Sequence, residues 1–151
     1  MITQRTVIYI GGIKMIINIM TSVDISLEKA WELWTEPEHI VHWNYASDDW
    51  QTTRAQNDLK AGGKFSYRME AKDGSFGFDF SGVHKEVKLY TFIDSLLDDG
   101  RILQVSFESR DGKTLINEDF EAEMENSVEL QRTGWQAILD NFKKYAEGLG
   151  K

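Results

Sequence analysis

The chain has no cysteine. That excludes disulfides, thiol chemistry and cysteine-based zinc sites. Proline occurs once, at Pro37. An excess of basic residues is also missing: Lys and Arg number 17 against 25 Asp and Glu, a net charge of -8 with a pI near 4.9. Nucleic acids and anionic membrane surfaces both call for basic patches, so neither is an expected partner. No long hydrophobic run occurs either. The longest apolar stretch, VIYIGGIKMIINIM, is broken by two glycines, Lys14 and Asn18. It is too short and too interrupted to cross a bilayer, so no membrane insertion is expected. No small-residue cleavage site follows a basic start, as a secretory leader would need. Phosphate loops, GxGxxG and GxSxG are absent, and no cofactor is expected. These absences fit a cytoplasmic protein. Residues 1–14 are expected to be an N-terminal extension, with Met15 as an alternative start, and residues 15–151 a single domain.

Hydrophobic residues make up 41% of the chain, and aromatic residues 12%, with five Trp. The first reads as an ordinary globular core; the second reads as either a heavy core or an aromatic-lined cavity. The longest periodic stretch is SVELQRTGWQAILDNFKKYAEGL, from Ser127 to Leu149. Trp135, Ile138, Leu139, Phe142, Tyr145, Ala146 and Leu149 recur at helical spacing, while Asp140, Lys143, Lys144 and Glu147 take the other face. Ser127 is placed to cap this helix, and Gly148 and Gly150 to end it. Earlier, Met15 to Val23 reads as a strand, and Ser26 caps a helix with Leu27, Ala30, Trp31 and Trp34 on one face. Thr35 and Glu38 have capping-box spacing around Pro37, which predicts a second short helix.

From Trp50 to Phe120 the period changes to two. Asp73-Gly74, Asp99-Gly100 and Asp111-Gly112 mark hairpin turns, and Gly62-Gly63 a further turn. Phe65, Tyr67 and Met69 share a face, as do Phe76, Phe78 and Phe80, then Leu103, Val105 and Phe107, then Ile116, Glu118 and Phe120. Gly82 suggests a bulge or bend. The period breaks from Glu86 to Leu89 without a Gly or Pro; a strand end is expected near Val87 and a new strand over Leu89 to Leu97. The fold class is therefore α+β, a curved antiparallel sheet of about seven strands covered by the C-terminal helix.

The runs LEKAWELWTEPEHIVHWNYASDDW, DLKAGGKFSYRMEAKDGSFGFDFSG and GWQAILDNFKKYAE resemble the stand-alone members of the activator-of-heat-shock-protein-90-ATPase-homologue family. That family belongs to the START-like, or SRPBCC, superfamily. The resemblance covers roughly Met15 to Glu147 and implies a helix-grip fold, a curved sheet wrapped round a long C-terminal helix. It also implies a binding site for a small apolar or amphipathic molecule between sheet and helix; some superfamily members carry out chemistry there. The founding activators stimulate a chaperone ATPase with the help of an extra N-terminal domain, which 151 residues leave no room for.

With that layout, the expected ligand-cavity residues are Tyr45, Phe65, Tyr67, Met69, Phe78, Phe80, Phe92, Leu103, Val105, Glu118, Trp135 and Leu139. For each, plain packing is the alternative. Glu118 stands out because strand parity puts its carboxylate on an apolar face, where it must find a partner, hold its proton or meet cavity water. The alternative is a strand end whose parity a bulge has shifted. Glu118, Tyr67 and His84 are the candidate acid–base groups, although His84 has no evident triad partner in the sequence. His39 and His42 lack the four-residue step and the glutamate of a helical zinc site, so no metal ligand set is expected. Tyr45, in the passage after the second helix, is a candidate lid. Three readings follow: a binding protein for a small hydrophobic molecule, an enzyme acting on one, or an interaction module, as a homodimer or beside a chaperone.

Overall fold

The computed structural model of the protein describes residues 3–9 and 12–150. Of the expected N-terminal extension, residues 1, 2, 10 and 11 lie outside the described residues. Thr3–Tyr9 form β1, which pairs antiparallel with β2 (Gly12–Val23) at the edge of the sheet. Then follow α1 (Leu27–Thr35), α2 (Pro37–Ile40), β3 (Trp50–Asn57), β4 (Lys64–Ala71), β5 (Gly77–Lys88), β6 (Phe92–Leu97), β7 (Ile102–Arg110), β8 (Lys113–Glu121) and α3 (Val128–Gly150). All neighbours pair antiparallel, in the order β1-β2-β8-β7-β6-β5-β4-β3. The seven strands from β2 onward curl as a half-barrel round α3, and β1 adds an eighth at one edge.

The turns follow from local chemistry. Asp111 and Gly112 both take positive φ, 53° and 79°, and join β7 to β8 through a two-residue loop. Gly74 and Gly100 take positive φ in the same way. The connection between β5 and β6 uses no glycine. Tyr90 takes φ 63° there, which is why no Gly or Pro marks that turn in the sequence.

The capping residues divide. Ser26 Oγ accepts from the Lys29 amide at 3.2 Å, and Ser127 Oγ from Leu130 at 3.1 Å. Thr35 and Glu38 form no capping box. The Thr35 hydroxyl instead donates back to the Trp31 carbonyl at 2.7 Å, which closes α1, and the N-cap of α2 is Glu36 with no side-chain bond. Nor does Gly148 end α3, which continues to Gly150; Leu149 is half exposed there and not part of the core.

The bulge expected at Gly82 lies three residues further on. Pairing shifts between His84 and Glu86, leaving Lys85 as the extra residue, and a second shift falls at Thr53 between β3 and β4. Gly82 answers a different need. A Cβ there would sit 2.5 Å from the Leu96 carbonyl and 2.8 Å from the Phe65 ring. The missing side chain lets Phe65 lie flat across β5.

The core fills the hollow of the sheet. On α3, Leu139, Phe142 and Ala146 are fully buried, and on α1 so are Ala30 and Leu33. Trp34 stacks on Trp43 at 4.7 Å, and both meet the Phe142 ring edge-to-face. The Trp43 indole donates to the Leu33 carbonyl at 2.9 Å, and Asn141 to the Trp43 carbonyl at 2.9 Å. These bonds pin the loop after α2 between the two long elements. This end of the grip is closed and the other is not.

Candidate functional site

In an antiparallel sheet, paired residues share a face. One row runs Ile19, Glu118, Val105, Ile93 across β2, β8, β7 and β6. The next runs Ile17, Phe120, Leu103, Ser95, His84 across five strands. A third runs Ala55, Tyr67, Phe80, with Met69 opposite Phe78 beside it. All these rows face α3, whose helix presents Gln131, Gly134, Trp135 and Ile138 to them. Sheet and helix do not close on each other over this length. They leave a pocket of about 380 Å³, walled mainly by aromatic and aliphatic side chains. Trp135 covers one wall, stacked on Phe120 with ring centres 4.0 Å apart. The exposed part of the lining is Asn126 and Leu130, where β8 passes into α3, and Phe78 on β5. Leu130 is 60% exposed and Phe78 38%, far more than the deeper walls.

Of the residues named from the sequence, the fold brings Phe65, Tyr67, Met69, Phe78, Phe80, Leu103, Val105, Glu118 and Trp135 to this pocket, together with His84. Three are placed elsewhere. Phe92 pairs with Ser106, in the row that faces away from α3; its neighbour Ile93 lines the pocket instead. The tight turn at Tyr90 sets that register, and a strand begun at Leu89 cannot reveal it. Leu139 is fully buried in the packed core, one residue round the helix from Ile138, which does face the pocket. Tyr45 lies beyond the closed end, past Trp43 and Asn44, and is no part of the lining. Phe76 precedes β5 and is 61% exposed, resting edge-on against Trp50.

The polar atoms of the pocket fall into two groups. In the first, each side chain already has a hydrogen-bond partner in the protein. His84 Nδ1 lies 2.9 Å from Ser95 Oγ and Nε2 lies 2.7 Å from Asn57 Oδ1. Asn57 Nδ2 donates to the Thr35 carbonyl at 2.8 Å. Its amide oxygen is therefore the acceptor, so His84 carries its proton on Nε2 and Ser95 donates to Nδ1. Burial holds the imidazole below its ordinary range, with Asp58 opposing weakly, and the ring stacks on Phe65 at 4.9 Å. Ser95 is 2% exposed. The network locks β3, β5 and β6 to the end of α1. Arg101 is engaged too, by Asp99 at 2.8 Å and the Glu121 carbonyl at 3.4 Å. Gln131 bridges Glu123 and Asn126.

The second group is Glu118 and Tyr67. Glu118 is 6% exposed, and among the described residues nothing hydrogen-bonds to its carboxyl. Burial, followed by the neighbouring Asp119, pushes that carboxyl up to about 8. Tyr67 makes no hydrogen bond through its hydroxyl among the described residues, and burial with the facing Glu118 carboxylate raises its phenol well above the ordinary range. At neutral pH both groups hold their protons. The sequence located Glu118 by parity, and that parity stands; no bulge intervenes on β8. Asn57, Ser95, Thr35 and Trp34 were not named for the pocket, because small polar residues and a core tryptophan carry no pattern that marks them as lining.

Glu32, Glu36 and His39 also approach one another on α1 and α2, within 4.8 Å. Lys29 already binds Glu32 at 2.9 Å and Tyr145 lies 2.8 Å from His39 Nδ1, so the groups satisfy each other.

With this geometry in place, comparison with known proteins gives a family. The sequence matches the profile of the "Activator of Hsp90 ATPase homolog 1-like protein" family over residues 24–147. The chain belongs to that family. Among solved structures it is similar to an AHSA1-like protein from Aeromonas hydrophila, with 43% identity and a TM-score of 0.81 over 88% of this chain and 94% of that one. A protein from Cytophaga hutchinsonii is 46% identical, with a TM-score of 0.77 over 87% of this chain and 91% of that one. A Chromobacterium violaceum protein at 16% identity still has a TM-score of 0.78 over 87% of this chain and 97% of that one, a likeness of fold alone. No curated protein sequence matches the chain. The fold is START-like, and no helix among the described residues is long and apolar enough to cross a membrane.

Proposed function

We propose that this family member binds a small apolar or amphipathic molecule in the pocket between the curled sheet and α3. One observation carries the reading. The two layers that ought to pack solidly leave about 380 Å³ between them, at the lower end of the range of small-molecule sites. Close-packed interiors do not tolerate such voids without cost. Family membership supports it, since START-like domains as a group bind ligands.

Gly134 supplies the test. It lines the pocket from α3, and a Cβ added there would meet nothing within 4 Å. Gly134→Phe should therefore fill the pocket without disturbing the helix, where glycine is a poor helix former. The neutral dye N-phenylnaphthylamine should fluoresce on binding the wild type. Small hydrophobic molecules should displace it, and Gly134→Phe should bind it at least tenfold more weakly with its fold intact. Equal dye binding by both proteins would place the dye elsewhere and remove the proposal.

A further inference from the structure

We propose that the molecule held in this pocket is an uncharged hydrophobic carbonyl compound, its oxygen accepting hydrogen bonds from both Tyr67 and Glu118. This rests on the pocket being a binding site, and goes on to say what chemistry the site selects.

The argument is one of elimination among the pocket's own polar atoms. His84, Ser95 and Asn57 satisfy one another, and Thr35 bonds to Trp31. Arg101 is held by Asp99 and a backbone carbonyl. The hydroxyl of Tyr67, the carboxyl of Glu118 and the indole N–H groups of Trp34 and Trp135 have no hydrogen bond among the described residues, and the first two belong to rows that face α3. Tyr67 and Glu118 come from β4 and β8, four places apart in the sheet, and the curl brings both to one pocket.

An anionic head would find the one lining arginine already ion-paired with Asp99, and would meet a protein of net charge -8. A cationic head would require Glu118 to ionise inside an apolar wall, with Asp119 beside it already opposing the charge. A bare hydrocarbon would leave both O–H groups buried without a partner, which costs more than the contact gains. A carbonyl oxygen has two lone pairs and takes both donors. A phenol and a protonated carboxylic acid converging on one oxygen is an arrangement that suits a dry pocket.

Protonation sets a pH dependence. The titratable or charged groups around Glu118 are Asp119 on its own strand, Tyr67 on β4, His84 on β5, and Arg101 and Glu123 in the lining. The lining residues contributed by α3 carry no charge. Carbonyl binding should be strong below about pH 8 and weaken as Glu118 loses its proton, because the donor disappears and a carboxylate faces the carbonyl oxygen.

Four naphthalenes of near-equal size test this: methyl naphthyl ketone, isopropenylnaphthalene, naphthoic acid and naphthylmethylamine. Displacement of N-phenylnaphthylamine should rank the ketone about tenfold above the alkene at neutral pH, as two modest net hydrogen bonds predict. The acid and the amine should do no better than the alkene. Tyr67→Phe and Glu118→Leu should each weaken the ketone several-fold without weakening the alkene. Glu118→Gln, which keeps a donor, should hold the ketone and lose its pH dependence. The bound ketone's carbonyl stretch should move to lower frequency in the wild type, and by less in Tyr67→Phe. Equal affinity for ketone and alkene would overturn the carbonyl assignment while leaving the pocket as a binding site. Tightest binding by the amine, growing with pH, would also overturn it in favour of a carboxylate–ammonium pair. If none of the four displaced the dye, the alkene included, both readings would fall.

Discussion

Replacing Glu118 by glutamine should make the empty protein more stable at alkaline pH, by an amount that burial sets. The carboxyl is pushed from its ordinary 4.5 up to about 8, first by burial and then by Asp119. In the unfolded chain it returns to its ordinary value. Below about pH 4.5 both states are protonated and the group leaves stability unaffected. Above that the unfolded chain gives up a proton that the folded protein keeps, so stability falls as pH rises. The fall is complete once pH passes about 8, where the folded protein also ionises. At ~1.4 kcal/mol per pH unit the whole loss has a ceiling of ~5 kcal/mol. Water entering the empty pocket solvates the carboxylate and brings the expected loss to ~2–4 kcal/mol. Glutamine does not titrate, so this loss should be missing from the variant. Urea unfolding of both proteins at about pH 5, 6.5 and 8 measures it, taking the difference between them at each pH. His84 acts in the opposite sense over part of the range, because its lowered affinity for protons costs stability as pH falls below its ordinary value. It is common to both proteins and cancels in that difference. Parallel profiles for wild type and variant would show that Glu118 is not desolvated, and the argument for two protonated donors would lose its basis.

Three further outcomes are expected. Gly82→Ala should destabilise by ~2–4 kcal/mol in chemical denaturation, because its Cβ meets the Leu96 carbonyl at 2.5 Å and the Phe65 ring at 2.8 Å. A loss under ~0.5 kcal/mol would mean that the Phe65 ring moves freely aside. Ser127→Ala should cost ~1 kcal/mol by removing the hydroxyl that accepts from the Leu130 amide, whereas Thr35→Val should show no cap-like loss at α2, since Thr35 bonds backward to Trp31. His84 should be mostly neutral, with its proton on Nε2, at the pH where an ordinary imidazole is half protonated (~6.5), visible in its ring nitrogen shifts; a predominant imidazolium there would contradict the Asn57 and Ser95 bonding.

Much of the fold is local and therefore legible. The Asp-Gly pairs fold into hairpins because the glycine of each, joined by Asp111 in the last, takes positive φ at little cost, and strict alternation then assigns each side chain a face. That was enough to find the apolar stripe of α3, the inward rows of β4, β7 and β8, and the misplaced carboxylate of Glu118. Where a signal depended on something non-local, the sequence was silent or misleading. Tyr90 makes a left-handed turn that composition does not announce, and the register it sets turns Phe92 outward and Ile93 inward. Gly82 looked like a bend and is instead a clearance for Phe65, while the bulge falls at Lys85. Leu139 and Ile138 sit on one helical stripe, and only the neighbouring strands determine that the first is packed and the second faces the pocket.

The sequence alone determined the elements from β2 onward, their order and the sheet-over-helix class, because each rests on periodicity and turn chemistry within a few residues; it did not reveal β1. It also determined that a carboxyl would lie on an apolar face. Tertiary structure decided that sheet and helix leave a pocket of about 380 Å³, that His84 is satisfied by Asn57 and Ser95, and that Tyr67 and Glu118 line that pocket without hydrogen-bond partners among the described residues. Those facts depend on the curl of the sheet, which brings together strands separated by fifty residues, and such distances have no imprint in local pattern.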